Sequence, residues 1–504
     1  MLEFEHCYRV IAAKDARFDG WFLTGVTSTG VYCRPSCPAR TPLRGNVRFF
    51  ATAAGAQAAG FRACKRCRPE ASPGSPEWDV RGDLVGRAMG LIADGVVDRE
   101  GVGGLARALG FSERHLQRCL VDSLGAGPLE LARARRAQMA QVLIERTDLS
   151  MAEVALSAGF SSVRQFNTTM REVFASTPTQ LRARRRSPGQ AREEGLTVRL
   201  PLRAPFDARA ILTFLAFRAV PGVEEVSEGV YRRALRLPRA GGVVELAPAE
   251  DHVCATLWLD DLRDFGVALN RCRRLLDLDA DPAAILECLG ADGLLGPLVR
   301  AAPGRRVPGG VDGFELAARA LLGQQVSVAA ARTAAARLAA EHGERLARPL
   351  GSITHLFPSP AALAAADPAS FPLPASRARA LVGLARAIHA GELTLDGAAE
   401  RARVMEALLA LPGVGAWTAG YIAMRQLRDP DAFPHGDLGV RRSLAALGRH
   451  VNARAMAELS EAWRPYRAYA VMHLWAHESP ARRARPARRA ARRGPAGLLA
   501  GAAA

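Results

Sequence analysis

Four folded units in series, mainly α-helical with two small α+β modules, are predicted for this chain from three observations. Two close cysteine pairs, Cys33-x-x-x-Cys37 and Cys64-x-x-Cys67, stand near its start. A short helical pattern broken at Gly-Phe-Ser occurs twice, at Gly110–Ser112 and Gly159–Ser161. Near the end, two apolar helical stretches flank Leu-Pro-Gly-Val-Gly (411–415). A length of 504 residues accommodates three or four domains with substantial cores. We place their bounds at 1–78, 79–186, 196–300 and 301–480, with a tail at 481–504. The net charge of +18 favours a polyanionic partner such as nucleic acid. Part of it is discounted: Lys14 and Lys65 are the only lysines, and so strong an arginine bias also follows from a GC-rich genome. The opening MLEFEHCYRV is charged and broken, unlike a signal peptide, and no apolar run reaches membrane-spanning length. Nine cysteines, four of them in a metal spacing, fit a reducing cytoplasm better than a disulfide framework.

In the first unit, two cysteine pairs on either side of a domain-sized loop have the spacing of a tetrahedral site for one Zn2+ held by four thiolates. Cations border both pairs: Arg34, Arg40, Arg44 and Arg48 on one side, Arg62, Lys65, Arg66 and Arg68 on the other. Spacing alone favours a structural knot over a reactive site. The segments DGWFLTGVTSTGVYCRPSCPAR and GFRACKRCRPE, however, closely resemble the N-terminal domain of the Ada methylation-response family. That resemblance implies that Cys33, Cys37, Cys64 and Cys67 all bind zinc. It further implies that Cys33 accepts a methyl group from a methylphosphotriester in DNA, once per molecule.

SPGSPEW (72–78) reads as a linker into the second, all-α unit. There, each Gly-Phe-Ser turn follows a short apolar helix and precedes a helix with polar and basic residues on one face. This predicts a double helix-turn-helix with recognition helices near Glu113–Leu120 and Ser162–Phe174. The repeat, with its Ala/Arg-rich connecting helix and terminal F…TPTQLR (174–182), resembles the AraC family of DNA-binding regulators. Ser112, Arg114, His115, Gln117, Ser162, Arg164, Gln165 and Asn167 are the candidate DNA contacts; sorting base readers from phosphate contacts lies beyond the sequence.

SPGQAREEG (187–195) is a second polar linker. LTVRLPL, YRRALRLP, GGVVELAP and CATLWLD follow as β-forming runs separated by turn signals and an Ala/Phe-rich helix, which predicts a small α+β sheet module. From its surroundings alone, Phe214 reads as core.

The last unit carries the chemistry. Pro412 stops one helix, while Gly413 and Gly415 permit a turn that a Cβ would block. A second helix starts near Ala416 with its free N–H groups facing outward. This is a helix-hairpin-helix, whose main chain suits one DNA phosphate. Asp437 follows in a Phe-Pro-His-Gly-Asp loop, where packing has no need of a carboxylate, and Trp417, Tyr421 and Trp475 supply aromatic walls. LPGVGAWTAGYIAMR, FPHGDL and YAVMHLWAHE resemble the helix-hairpin-helix, Gly/Pro-rich, Asp family of DNA glycosylases, AlkA-type enzymes most of all. The resemblance implies that Asp437 is the catalytic carboxylate and that Trp417, Tyr421 and Trp475 form the base pocket. FLAFRAVPGVEEV (214–226) resembles the N-terminal domain of the same enzymes, which places Phe214 at that pocket. Strand-cutting relatives carry a lysine nucleophile where this chain has Trp417, so base release without strand cleavage is expected.

In the same family the loop at Gly-Gln-Gln-Val-Ser (323–327) plugs the gap left by the extruded base, which makes Gln325 the candidate wedge. AlkA enzymes carry an apolar residue there, and acidic and aromatic residues where this chain has Gly436 and Leu438. His435, His473 and His477 read as structural. No four-cysteine set follows the hairpin, so no iron–sulfur cluster is expected. No Pro-Cys-His-Arg motif occurs, so alkyl transfer from guanine oxygen is not expected. The tail ARRARPARRAARRGPAGLLAGAAA (481–504) is basic, low-complexity and expected to be disordered.

Two readings follow. One is a fused alkylation-response protein: methyl acceptor, transcription regulator and alkylbase glycosylase. It would act as a monomer in the cytoplasm, on alkylated and promoter DNA, with RNA polymerase as a partner. The other is a DNA-binding regulator with a structural zinc site and a C-terminal half that only grips DNA. Asp437 favours the first, because a module that only binds has no reason to set a carboxylate against phosphates.

Overall fold

The computed structural model describes residues 4–14, 18, 22–35, 37, 39–64, 66–67, 69, 84–184, 195–395 and 400–478. Lys65, Arg68, the linker at 72–78, all but the last residue of that at 187–195, and the tail at 481–504 lie outside the described residues. No helix among them is long and apolar enough to cross a membrane.

The first unit sets helix α1 (Phe4–Ala13) beside a sheet of β1 (Leu23–Val26), β2 (Val31–Cys33), β3 (Val47–Phe50) and β4 (Arg62–Ala63), ordered β3-β1-β2-β4. Helix α2 (Ala53–Ala58) connects β3 to β4, and Thr52 caps it by accepting from the Gly55 N–H. Strands β2 and β4 are parallel, with Tyr32 opposite Ala63. Continuing that register by one residue puts Cys33 beside Cys64.

The second unit is all-α: α3 (Leu84–Ala93), α4 (Val96–Leu109, broken at Gly101), α5 (Glu113–Leu124), α6 (Pro128–Arg146), α7 (Met151–Ser157), α8 (Val163–Phe174) and α9 (Pro178–Ala183). Gly110, at φ 76°, ends α4. Ser112 then caps α5, and Ser162 caps α8, each accepting a backbone N–H from the first turn. The buried helix α6 lies between the two repeats, as its Ala-rich sequence predicts.

The third unit is a five-stranded antiparallel sheet of β5 (Leu196–Pro201), β6 (Glu224–Ser227), β7 (Val230–Arg236), β8 (Gly241–Pro248) and β9 (His252–Leu259), ordered β5-β9-β8-β7-β6. Helix α10 (Ala208–Arg218) leads from β5 to β6, and α11 (Phe265–Leu275) follows β9. Neighbouring residues of β8 serve different cores. Val243 joins the core of the C-terminal unit, whereas Val244 joins one shared with α10, α11 and Met170, Val173 and Phe174 of α8. The helix-turn-helix and sheet units therefore meet through apolar contact. A polar clamp adds to it: Asp94 accepts from Asn270 Nδ2 at 2.6 Å and from both terminal nitrogens of Arg274 at 3.1 and 3.2 Å.

Helices α12 (Pro282–Gly290) and α13 (Gly296–Ala301) follow within the stretch assigned to the third unit but pack into the core of the last, which runs on through α14 (Gly313–Leu322), α15 (Val328–His342), α16 (Pro360–Ala364), α17 (Ala375–His389), α18 (Arg401–Ala410), α19 (Ala416–Arg425), α20 (Leu438–Ala446), α21 (Ala453–Ser460) and α22 (Arg467–Glu478). It departs from the all-α expectation at one place, a hairpin of β10 (Arg345–Leu350) and β11 (Ile353–His355). That hairpin leans on the neighbouring unit: the Thr354 and His355 N–H groups both donate to the Gly222 carbonyl. Its core and that of the sheet's inner face are continuous, which ties the two units together.

Candidate active site and metal centre

The Cys33, Cys37, Cys64 and Cys67 sulfurs all lie within 4.8 Å of one another, the first two and Cys67 buried and Cys64 half-buried. Four sulfurs this close cannot all ionise by themselves. Hydrogen bonds from Cys33 and Cys67 pull Cys37 down to about 2. The Cys33 thiol is pushed up by its bonds to Cys37 and Cys67, then by burial. A divalent cation that favours thiolate and tetrahedral geometry removes that conflict by accepting all four sulfurs, so the donor set fits zinc. The cysteines are positioned to bind one metal ion. Of the described flanking cations, Arg40, Arg44, Arg48, Arg62 and Arg66 are exposed, as a DNA-facing role requires. Two of them also serve the fold: Arg44 pairs with Glu5 and lies over Tyr8, and Arg48 lies over Phe50.

On the helix-turn-helix unit, Arg114, Gln117, Arg164 and Gln165 are exposed, while His115 and Asn167 are half-buried. Ser112 and Ser162 are exposed as well, but their hydroxyls cap α5 and α8.

Asp437 is the N-cap of α20 and is 6% exposed. Its Oδ1 accepts from the Val440 N–H at 2.8 Å and from Trp475 Nε1 at 2.9 Å, and its Oδ2 accepts from Trp417 Nε1 at 2.7 Å. Three donors and no competing acceptor suit an acceptor-only carboxylate. The loop that carries Asp437 comes this close because of Gly420: a Cβ there would lie 2.9 Å from the Phe433 carbonyl oxygen and 3.1 Å from Pro434 Cα. Around the carboxylate, Trp417 stacks on Tyr421 (5.3 Å between centroids, 19°), and Tyr421 stands 6.2 Å from Trp475. Phe214, from α10 of the sheet unit, lies nearly parallel to Trp475 at 6.4 Å. The four predicted pocket rings thus form one aromatic cluster against Asp437.

Two guanidiniums back it. Arg218 sits 3.7 Å from the Phe214 centroid, and Arg425 sits 4.9 Å from it while donating to the Tyr421 hydroxyl at 2.5 Å. Burial pulls Arg218 down to about 10, against the opposing pull of Tyr421. Burial alone would raise the Tyr421 hydroxyl, but Arg425 and Arg218 outweigh it and hold the group below its usual value.

Gly413 has φ 87°, a left-handed conformation that glycine adopts without strain, and Gly415 is the N-cap of α19 with no side-chain cap bond. The first N–H groups of α19 are therefore left for an outside acceptor. Gln325 is exposed at φ 54° in the turn between α14 and α15, with Val326 exposed beside it. Gln324 turns inward, donating from Nε2 to the Gly413 carbonyl and to Thr418 Oγ1, both at 2.9 Å. Arg377 holds the Gln324 carbonyl at 2.6 Å. The turn carrying Gln325 is thereby fixed to the hairpin.

Four stretches of the chain match known domain families. Residues 6–70 match the metal binding domain of Ada, 105–184 a helix-turn-helix domain, 197–312 the AlkA N-terminal domain, and 318–465 the HhH-GPD superfamily of base excision DNA repair proteins. A probable bifunctional transcriptional activator/DNA repair enzyme AlkA of Mycobacterium tuberculosis is 55% identical over 476 residues, covering 94% of this chain and 96% of that protein. The chain belongs to the Ada–AlkA fusion family. DNA-3-methyladenine glycosylase 2 of Escherichia coli is 37% identical over 280 residues, 54% of this chain and 94% of that protein. Among solved structures, a 3-methyladenine DNA-glycosylase from Archaeoglobus fulgidus superposes with a TM-score of 0.50 at 23% identity over 56% of this chain and 97% of that one, a likeness of fold.

Sequence reasoning missed Arg218, Arg425, Gln324 and Gly420. Arg425 follows Tyr421 by one helical turn and was within reach of a spacing argument. Arg218 meets Tyr421 only through the tertiary fold, and no local signal marks it.

Proposed function

We propose that the protein releases alkylated bases of the 3-methyladenine type from double-stranded DNA as a monofunctional glycosylase. In the same reading it accepts methyl groups from DNA methylphosphotriesters on Cys33 and regulates transcription by sequence-specific DNA binding. The observation that carries the proposal is Asp437, a buried carboxylate held between two indole N–H groups at an aromatic cluster. The names borne by the Mycobacterium tuberculosis and Escherichia coli relatives support it.

A purine alkylated at N3 or N7 is cationic and already a good leaving group, so no acid has to protonate it. The Gly413–Gly415 turn and the start of α19 hold a backbone phosphate, and Gln325 enters the stack as the nucleotide swings out. The extruded base stacks against Tyr421 and Trp475, with Trp417 and Phe214 as the remaining walls. Each good cation–ring contact contributes about 0.5–2 kcal/mol. Phe214 contributes less of this than its type suggests, since Arg218 already covers one face of its ring. As the glycosidic bond breaks, its electron pair leaves with the base. The Asp437 carboxylate stabilises the oxocarbenium-like sugar until water adds at C1′. With Trp417 where strand-cutting relatives carry lysine, no Schiff base forms and the strand stays intact.

In the first unit, Cys33, Cys37, Cys64 and Cys67 would hold the zinc ion, which would keep their sulfurs deprotonated and nucleophilic. The Cys33 sulfur attacks the methyl carbon of the neutral phosphotriester; an S–C bond forms, the C–O bond breaks, and the phosphodiester departs with the electron pair. One negative charge is thereby lost from the protein side. At roughly 8 Å from a phosphate and an effective dielectric constant near 40, that loss is worth about 1 kcal/mol before screening. Over a few phosphates it tightens DNA binding by roughly one to three decades, so repair becomes a switch for transcription. The working unit is a monomer that meets RNA polymerase on promoter DNA.

Incubation of the zinc-loaded protein with methylated duplex DNA tests both chemistries. Chromatography should show free 3-methyladenine with the strand uncut, and peptide mass spectrometry one added methyl on Cys33. Strand scission, no free base, or a methyl on another cysteine contradicts the corresponding half.

A further inference from the structure

Outside both centres, strand β9 of the five-stranded sheet carries a further cysteine, Cys254, with a histidine beside it. Along β9, exposure alternates: Val253, Ala255 and Leu257 are buried in the core shared with α8, α10 and α11, while the half-buried His252, Cys254 and Thr256 lie on the opposite face, the one that also carries Val243 and Trp258. Cys254 and His252 are two residues apart and share that face, with Cys254 Sγ 3.3 Å from His252 Nε2. The other ring nitrogen, Nδ1, lies 2.5 Å from Asp251 Oδ1. The Asp251 carboxylate accepts a hydrogen bond from Nδ1–H, which fixes the tautomer and leaves Nε2 as the acceptor facing the thiol. The hydrogen bond from His252 also holds the Asp251 carboxyl below its usual range. A turn closed by the Ala249 N–H donating to the His252 carbonyl keeps Asp251 beside the ring.

The strands packed against Cys254 add to this setting. In the sheet register its neighbours are Arg199 on β5 and Ala247 on β8. Arg199 is exposed and cationic, and Ala247 is small. The next residue of β8 on that face, Glu245, is taken up by Arg232 at 2.6 Å. Cys254 is half-buried. A partly exposed thiol, a base within hydrogen-bond reach, a carboxylate orienting that base and a nearby guanidinium are the features that make a cysteine nucleophilic. Among the described residues it belongs to no group that could hold a metal ion, so the arrangement suits stoichiometric modification rather than metal-assisted turnover.

We propose that Cys254 is a reactive thiol that takes up soft alkyl electrophiles, the chemical class that also methylates DNA. The Cys254 proton passes to His252 Nε2, and Asp251 balances the imidazolium. The sulfur attacks the electrophile's carbon, an S–C bond forms, and the leaving group departs with its electron pair. The product is a thioether on β9, chemically separate from the methyl on Cys33.

Two other cysteines serve as internal references. Cys119 has a histidine, with His115 Nε2 at 3.3 Å, but no carboxylate bonded to that ring. The Cys288 thiol donates to the Arg464 carbonyl and is raised by burial and by Glu287. The test is a brief pulse of limiting iodoacetamide on the full-length, zinc-loaded protein between pH 6 and 9, with each cysteine followed by peptide mass spectrometry. At pH 6.5 Cys254 should label at least about tenfold faster than Cys288 and faster than Cys119. His252→Gln should bring it down to the Cys288 rate, and Asp251→Asn should give an intermediate rate. Base release should be unchanged in both variants, which shows that they fold. Equal labelling of Cys254 and Cys288, or a Cys254 rate untouched by His252→Gln, overturns the proposal.

Discussion

Asp437 receives its two indole hydrogen bonds from residues twenty positions before it and thirty-eight after it, so the carboxylate is set by tertiary packing rather than by its own loop. Its type and its Pro/Gly/His-rich surroundings were legible in the sequence, because a carboxylate in such a loop has no packing use. The indole donors were not, since Trp417 and Trp475 read as walls and nothing local says where a ring N–H points. His473 shows the opposite case. It reads as structural, and it is 4% exposed, with burial and then Arg305 lowering it to about 3. The native state therefore does not take up the proton that an unfolded histidine binds below about pH 6.5. Stability from this group should be unaffected above pH 6.5 and fall progressively below it, by about 2 kcal/mol at pH 5. His473→Gln should flatten the pH slope of denaturant unfolding followed by tryptophan fluorescence; identical slopes for the two proteins contradict the assignment.

At the scale of elements, the hairpin and the zinc knot were readable because each rests on close sequence spacing: Leu-Pro-Gly-Val-Gly, or cysteine pairs three and four apart. The brace between hairpin and wedge turn was not. Gln324 lies 89 positions from Gly413 and 94 from Thr418, and an inward and an outward glutamine look alike in the sequence. Its two hydrogen bonds fix the turn carrying Gln325, the proposed wedge, to the Gly413–Gly415 turn proposed to grip the phosphate. Gln324→Ala should slow single-turnover base release about tenfold, as two lost neutral hydrogen bonds of about 1 kcal/mol each allow, while binding to abasic DNA changes less than twofold. Equal losses in rate and in abasic-site affinity would show that Gln324 acts through DNA affinity alone. For the zinc unit, chelation should remove its ordered near-ultraviolet dichroism and abolish methyl uptake while leaving base release intact.

For the whole molecule, four units in series were expected and four family descriptions match the chain in that order. What composition and periodicity did not reveal is how closely the units are joined. The Asp94 clamp onto Asn270 and Arg274, and the shared core of α8, α10 and α11, depend on surfaces with no period of their own. With +18 charges and exposed arginines on the zinc and helix-turn-helix units, DNA affinity should fall steeply with salt. Six to ten neutralised phosphates correspond to roughly three to five decades between about 50 and 200 mM. A flat titration contradicts the electrostatic account. All of the repair chemistry proposed for the C-terminal half converges on one carboxylate, so its most direct test is single-turnover release of 3-methyladenine by Asp437→Asn alongside the parent protein. The variant should bind abasic DNA as before and release the base at least about a hundredfold more slowly; release at the parent rate would show that this carboxylate is not the catalyst.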